Sequence, residues 1–117
     1  MFTISKEFQF SASHQLEGLK EGHPCNRIHG HNYTIKVFLR AEELNKDGFV
    51  QDYNELKPIS DWVDNVLDHR NLNEVFDFQT SVENMSKYIF ELFKPQFPLI
   101  VAVEMSETSK TSCRYEA

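Results

Sequence analysis

The stretch that most restricts this chain is Cys25-Asn26-Arg27-Ile28-His29-Gly30-His31-Asn32-Tyr33, which runs directly into Thr34-Ile35-Lys36-Val37-Phe38-Leu39. From His29 to Ala41 the pattern repeats every two residues, with Tyr33, Ile35, Val37 and Leu39 on one side. That period belongs to a β-strand with a buried face. His29 and His31 begin the strand, and side chains two apart share a face, so both imidazoles can reach one metal ion. Imidazole nitrogen suits zinc, which it binds at about 2.0–2.1 Å. A third ligand has to come from elsewhere in the chain. The thiol of Cys25 either joins that metal or works beside it.

The neighbouring segments fit one domain. Residues 2–10 also alternate, with Phe2, Ile4, Phe8 and Phe10 on one side, interrupted only by Lys6. Residues 11–28 hold Gly18, Gly22 and Pro24 among polar residues and read as a loop. Asn45-Lys46-Asp47-Gly48 is turn chemistry. Leu56, Ile59, Val63, Val66 and Leu67 keep helical spacing from about residue 54 to 67, with Pro58 near the first turn, where proline is tolerated. Thr80-Ser81-Val82-Glu83 has the form of a capping box opening a second helix, which Lys94-Pro95 stops. Two further strands are expected over about 99–105 and 112–116. The order ββααββ is an α+β arrangement: a four-stranded antiparallel sheet with two helices on one face. The other face, with exposed edges and some apolar residues such as Phe38, calls for a partner, so a homo-oligomer is expected.

Composition narrows the function. The chain has 117 residues, enough for a single domain that needs no staple to fold. Its net charge is −6 and it carries no lysine–arginine block, which leaves no electrostatic footprint for nucleic acid or an anionic membrane. No apolar run is long enough to span a bilayer, and nothing at the N-terminus has the look of a signal peptide. The two cysteines, Cys25 and Cys113, then read as free thiols of a cytoplasmic protein.

His14 closes Ser11-Ala12-Ser13-His14, just past the first strand. If strands one and two pair antiparallel, His14 sits beside His29 and His31 and becomes the natural third ligand. Three histidines with an open position is the arrangement of a catalytic zinc, and the rival is a closed structural site with Cys25 as fourth ligand. The open site is preferred because a domain this size should fold without metal. Asp68-His69, at the end of the first helix, offers a carboxylate beside an imidazole, an acid–base pair. By sequence alone, a cationic His favoured by the dipole at a helix C-terminus is the simpler reading of the two. Glu107 leaves the third strand at a loop, where its carboxylate is able to accept paired N–H donors or simply be solvated. Arg27 lies near enough to the two histidines to meet an anionic substrate. Otherwise Arg27 reads, like Lys57, as an ordinary surface charge, and Cys113 reads as structural.

These segments resemble those of the family of 6-pyruvoyltetrahydropterin synthase and its bacterial relative 6-carboxytetrahydropterin synthase. Phe10-Ser11-Ala12-Ser13-His14 is similar to the family's F-x-A-x-H segment, and Cys25 through Tyr33 to its C-x3-HGH-x-Y core. Gly48-Phe49-Val50-Gln51-Asp52-Tyr53 through Leu56-Lys57, then Leu67-Asp68-His69 through Leu72-Asn73, then Thr80-Ser81-x-Glu83-Asn84, and finally Glu107-Thr108 through Tyr115 follow in the family's order. Gln79 stands where the family often has proline.

The resemblance implies the tunnelling fold, in which trimers close a β-barrel, often stack as a dimer of trimers, and place active sites at subunit interfaces. It implies zinc on His14, His29 and His31, and Cys25 as base or proton shuttle. Asp68 and His69 become the second acid–base pair, and Glu107 the anchor of a pterin ring. Thr80 and Ser81 would line the pterin pocket. The short Cys25–His29 spacing resembles the carboxy-forming bacterial branch. There the substrate is 7,8-dihydroneopterin triphosphate and the product 6-carboxy-5,6,7,8-tetrahydropterin, on the route to queuosine. The pyruvoyl-forming reaction is the nearest alternative, and a non-catalytic zinc-stabilised module the alternative from another class.

Overall fold

The computed structural model describes residues 1–117. Four strands form an antiparallel meander: β1 (Phe2–His14), β2 (His29–Ala41), β3 (Ile100–Thr108) and β4 (Thr111–Glu116). The first strand reaches His14 and does not stop at Phe10. Ala12 and His14 continue the buried series of Phe8 and Phe10, while Ser11 and Ser13 face outward. In the β1–β2 register Ala12 lies opposite His31 and His14 opposite His29, so the alternation of both strands brings three imidazoles to one end of one face. The third strand also runs further than expected. Glu107 is therefore on β3, within a register irregularity between Met105 and Thr108, and not on a loop beyond it.

The helical layer begins with a 3-10 turn, Tyr53–Leu56, capped by the Asp52 carboxylate on the Asn54 N–H at 2.9 Å. It continues through α1 (Lys57–Trp62) into a π-helical turn, Val63–Leu67, where the Asp68 N–H reaches back to the Val63 carbonyl. The single helix expected over 54–67 is thus three windings in series. Its inward residues Leu56, Ile59, Val63 and Leu67 are nevertheless all buried. A short helix α2 (Leu72–Val75) follows, then α3 (Val82–Phe93). The cap of α3 is Ser81, whose hydroxyl accepts from the Asn84 N–H at 3.2 Å. The capping box anticipated from Thr80 is displaced by one residue, which leaves Thr80 for another task. Lys94 closes the helix, its ammonium donating to the carbonyls of Pro98 at 2.6 Å and Ile100 at 2.7 Å, and so ties α3 to the start of β3.

A core of 22 buried residues fills the space between sheet and helices. The opposite face of the sheet is more polar than the alternation suggested. Register sets Glu7, Lys36, Glu104 and Arg114 side by side across the four strands, alternating in sign. Arg114 pairs with Glu104 at 3.0 Å and stacks its guanidinium 4.3 Å over Phe38. The apolar contribution expected there is therefore half-covered already. The outer edge of β4 is free, whereas the outer edge of β1 is free only over its N-terminal part: the Ser13 N–H donates to the Arg70 carbonyl at 3.0 Å and the Ser11 carbonyl accepts from His69, so residues 68–71 cover its end. No helix is long and apolar enough to cross a membrane.

Candidate metal centre and active site

His14, His29 and His31 project from the helix-facing side of the β1 and β2 ends. Their ring centroids are 4.5, 4.8 and 5.2 Å apart, and the planes cross at 67–88°. One ligand-capable atom from each lies within 4.8 Å of the other two. Rings stacked for packing would lie parallel; these converge edge to edge. The hydrogen bonds settle which nitrogen is available. His14 Nδ1 lies 2.8 Å from the Thr80 carbonyl and His29 Nδ1 lies 2.7 Å from the Arg27 carbonyl. A carbonyl only accepts, so both Nδ1 atoms carry a proton, and the nitrogen left to ligate in each ring is Nε2.

His14 is fully buried, and burial pushes its pKa below the ordinary value of 6.5. The His29 and His31 charges push the same way, against the Thr80 carbonyl and Glu107, so His14 favours the neutral, ligating form. His14 Nε2 and His31 Nε2 are buried and have no hydrogen-bond partner. Buried polar atoms are rarely left so, and two of them in a tripod of imidazoles fit a divalent cation with an affinity for nitrogen.

Glu107 faces the same centre. Its Oε2 is 3.4 Å from His31 Nε2 and 3.7 Å from His14 Nε2, and the side chain is 30% exposed, so one side meets the tripod and the other meets solvent. Glu107 and His31 line one shallow cleft with Ser106, Thr108 and Ser109. Beneath the tripod is Tyr33, stacked on Phe10 at 4.8 Å and meeting both His14 and His31 edge-on. Its hydroxyl is buried without a partner, and burial with the nearby Glu107 charge pushes its pKa well above the ordinary value. By alternation alone Tyr33 is indistinguishable from the core residues Ile35, Val37 and Leu39. Its place two residues after His31 on the same face was the available signal.

Cys25 stands outside the cluster of ligating atoms, half-exposed in the turn Pro24–Asn26, as a free thiol. Its N–H donates to His23 Nδ1 at 3.1 Å and its carbonyl accepts from Leu16 at 2.8 Å. Arg27 is exposed and contributes to the centre through its carbonyl on His29, with no side-chain contact there. Thr80 is wholly buried, with its hydroxyl 3.3 Å from His14 Nδ1. In one chain it presents no surface to a ligand and acts as the support of His14. Ser81 is spent on the helix cap.

Asp68 and His69 are brought together at the sheet edge. Asp68 Oδ1 accepts from the Ser11 N–H at 2.9 Å, and Oδ2 lies 2.9 Å from His69 Nδ1. The Ser11 N–H, and after it the His69 ring, hold the Asp68 carboxyl below its ordinary value. His69 has φ of 59°, a left-handed conformation uncommon for a side chain of this size, with its ring 82% exposed. His69 and His31 line one shallow cleft that opens along the β1 edge.

A meander sheet under a helical layer, with a three-histidine tripod where its first two strands meet, is the tunnelling fold. The chain belongs to the 6-pyruvoyl tetrahydropterin synthase family, whose model matches residues 3–117. A 6-carboxy-5,6,7,8-tetrahydropterin synthase of Synechocystis sp. is 35% identical, over 98% of this chain and 93% of its own length. A dihydroneopterin monophosphate aldolase of Pyrococcus furiosus is 38% identical, over 76% of this chain and 72% of its own. The structure of 6-pyruvoyl tetrahydropterin synthase from Caenorhabditis elegans superposes with a TM-score of 0.86 at 32% identity, covering 99% of this chain and 95% of that one.

Proposed function

We propose that this chain is a zinc-dependent 6-carboxy-5,6,7,8-tetrahydropterin synthase. It converts 7,8-dihydroneopterin triphosphate and one water to 6-carboxytetrahydropterin, acetaldehyde and triphosphate, in the formation of queuosine. The observation that carries the reading is the tripod of His14, His29 and His31, with two buried, partnerless Nε2 atoms, in a chain similar over nearly its full length to a protein of that name. The three imidazoles would hold zinc, and zinc bound by neutral ligands supplies an undiminished positive charge that polarises hydroxyls of the substrate side chain.

The remaining work falls to the chain's own groups. Cys25, outside the tripod, takes a proton from the carbon skeleton as thiolate. His69, oriented by the Asp68 carboxylate, exchanges protons at the cleft it shares with His31. Glu107 accepts the paired N–H donors of the pterin edge, which sets the substrate side chain between tripod and thiol. Arg27 is exposed on the approach to the site and meets the triphosphate. Ser81, at the mouth of α3, borders the pterin pocket.

The free edge of β4 and the free N-terminal part of the β1 edge support a homo-oligomer in which β1 of one copy pairs with β4 of the next, closing a trimer or a dimer of trimers. The Asp68–His69 cleft on that edge would then be walled by the second copy. Incubating the zinc-loaded protein with 7,8-dihydroneopterin triphosphate and identifying products by mass tests the reaction. 6-Carboxytetrahydropterin with acetaldehyde is the expected outcome. A pyruvoyl product, a simple aldol cleavage as the Pyrococcus relative's name describes, or unchanged substrate would overturn it.

A further inference from the structure

We infer that Gln79, together with Asn73, is a positioning residue that sets where Cys25 stands relative to the histidine tripod. The inference rests on the reading of Cys25 as the proton carrier. Cys25 sits in the connection between β1 and β2, where Gly18 and Gly22 adopt left-handed φ of 72° and 85° and only the turn Pro24–Asn26 is regular. A segment of that kind holds a side chain to fractions of an ångström only if it is tied elsewhere. Two side-chain amides tie it.

Asn73 in α2 accepts from the Gln15 N–H at 2.8 Å and donates Nδ2 to the Gln15 carbonyl at 2.8 Å. Gln79 does the same two residues on: its Oε1 accepts from the Glu17 N–H at 3.0 Å and its Nε2 donates to the Glu17 carbonyl at 2.8 Å. Each amide therefore stands in for the peptide group of a neighbouring strand. Residues 15 and 17 face the amides, so Leu16 between them faces the other way, and its N–H donates to the Cys25 carbonyl at 2.8 Å. Gln79 is itself held, because its carbonyl accepts from Asn84 Nδ2 at 3.0 Å in the first turn of α3. The residue after it, Thr80, carries the carbonyl that orients His14. One dipeptide, Gln79-Thr80, thus holds a tripod ring with its second residue and the segment behind Cys25 with its first. Thiol and tripod are referenced to the same short piece of backbone.

The test uses the full-length, zinc-loaded protein and its Gln79→Ala and Gln79→Glu variants. Glu keeps the acceptor for the Glu17 N–H but sets an oxygen against the Glu17 carbonyl, where no donor remains. Four quantities are read: zinc per chain, kcat and KM, hydrogen exchange at the Leu16 and Glu17 amides, and the rate of Cys25 alkylation by iodoacetamide. In both variants we expect unchanged zinc content and faster exchange at Leu16 and Glu17. Exchange at Met85, inside α3, should not change. The alkylation rate should alter by about fivefold or more and kcat should fall by about 10- to 100-fold, with KM moving far less, as misplacement by about an ångström produces.

Unchanged kcat beside accelerated exchange would overturn the positioning role, and unchanged exchange would overturn the clamp itself. If Gln79→Ala does not fold, Gln79→Glu decides on the same readouts. If the unaltered protein shows no turnover, the proposed reaction fails. The exchange and alkylation arms then still decide, because an alkylation rate that ignores Gln79 overturns the inference.

Discussion

Removing the metal is the perturbation that separates an open tripod from a closed structural site. The 22-residue core lies between the sheet and the helices, with the tripod at its rim. The metal-free chain should therefore stay folded and unfold cooperatively. What it loses is the mass-action contribution of a ligand bound only by the folded form. At free zinc about 1,000-fold above the dissociation constant this amounts to about 4.1 kcal/mol. Unfolding entropy of about 2.1 cal/mol/K per residue gives roughly 0.25 kcal/mol/K for 117 residues. Chelation should therefore lower the melting temperature by about 17 °C. Calorimetric or fluorescence melts with and without a chelator, at fixed protein concentration, read this directly.

The decisive arm is Cys25→Ala. Its thiol lies outside the group of ligating atoms, so the variant should keep one zinc and the same shift on chelation while losing turnover. A metal-free protein that is unfolded at 25 °C would refute the reasoning. So would a Cys25→Ala variant whose melting temperature no longer responds to zinc: the first result makes the metal structural, and the second makes sulfur a ligand. A wild-type melt indifferent to chelation would remove the metal altogether.

Glu107→Gln should retain zinc, because three imidazoles remain, but raise KM for the pterin substrate by about 10-fold or more, the loss of hydrogen bonds to a charged acceptor; zinc content with steady-state kinetics checks it. Ser81→Ala removes the oxygen that caps the Asn84 N–H and should cost about 1 kcal/mol, read from denaturant midpoints. Asp68 has a carboxyl pKa lowered in the fold by the Ser11 N–H and His69. A lowered pKa stabilises fully above the unfolded value and loses that contribution as pH falls through the folded one. In the metal-free protein, the stability of Asp68→Asn should therefore fall less steeply than that of the unaltered chain below about pH 4. Parallel curves would show that the Asp68–Ser11 bond is not retained in solution.

How far the site was legible in the residues depended on whether its parts have a period. The period-two pattern of both strands carries the tripod: once Tyr33, Ile35, Val37 and Leu39 are buried, His29 and His31 must share their face, and antiparallel pairing delivers His14 opposite His29. The end of β1 was missed because Ser11 and Ser13 are small and polar, although they occupy the outward positions of an uninterrupted alternation. Three windings look like one helix in the sequence because the apolar spacing is helical throughout, and the widened turn at Val63–Leu67 shows only in the Asp68–Val63 hydrogen bond.

The Asn73 and Gln79 clamps join residues 58 and 62 apart by side chain to backbone, a contact that leaves no repeat to read. The cap of α3 shows how such a contact overrides a local rule. Thr80 and Ser81 are both good caps, and Thr80 with Glu83 makes the better box on paper. The His14 ring needs the Thr80 carbonyl at 2.8 Å, and that requirement buries Thr80 against β1. Ser81 is then the first residue free to turn its hydroxyl onto the helix. The histidine tripod and the helix start are in this sense one structure, since the placement of the His14 ring decides which of two adjacent hydroxyls closes the helix.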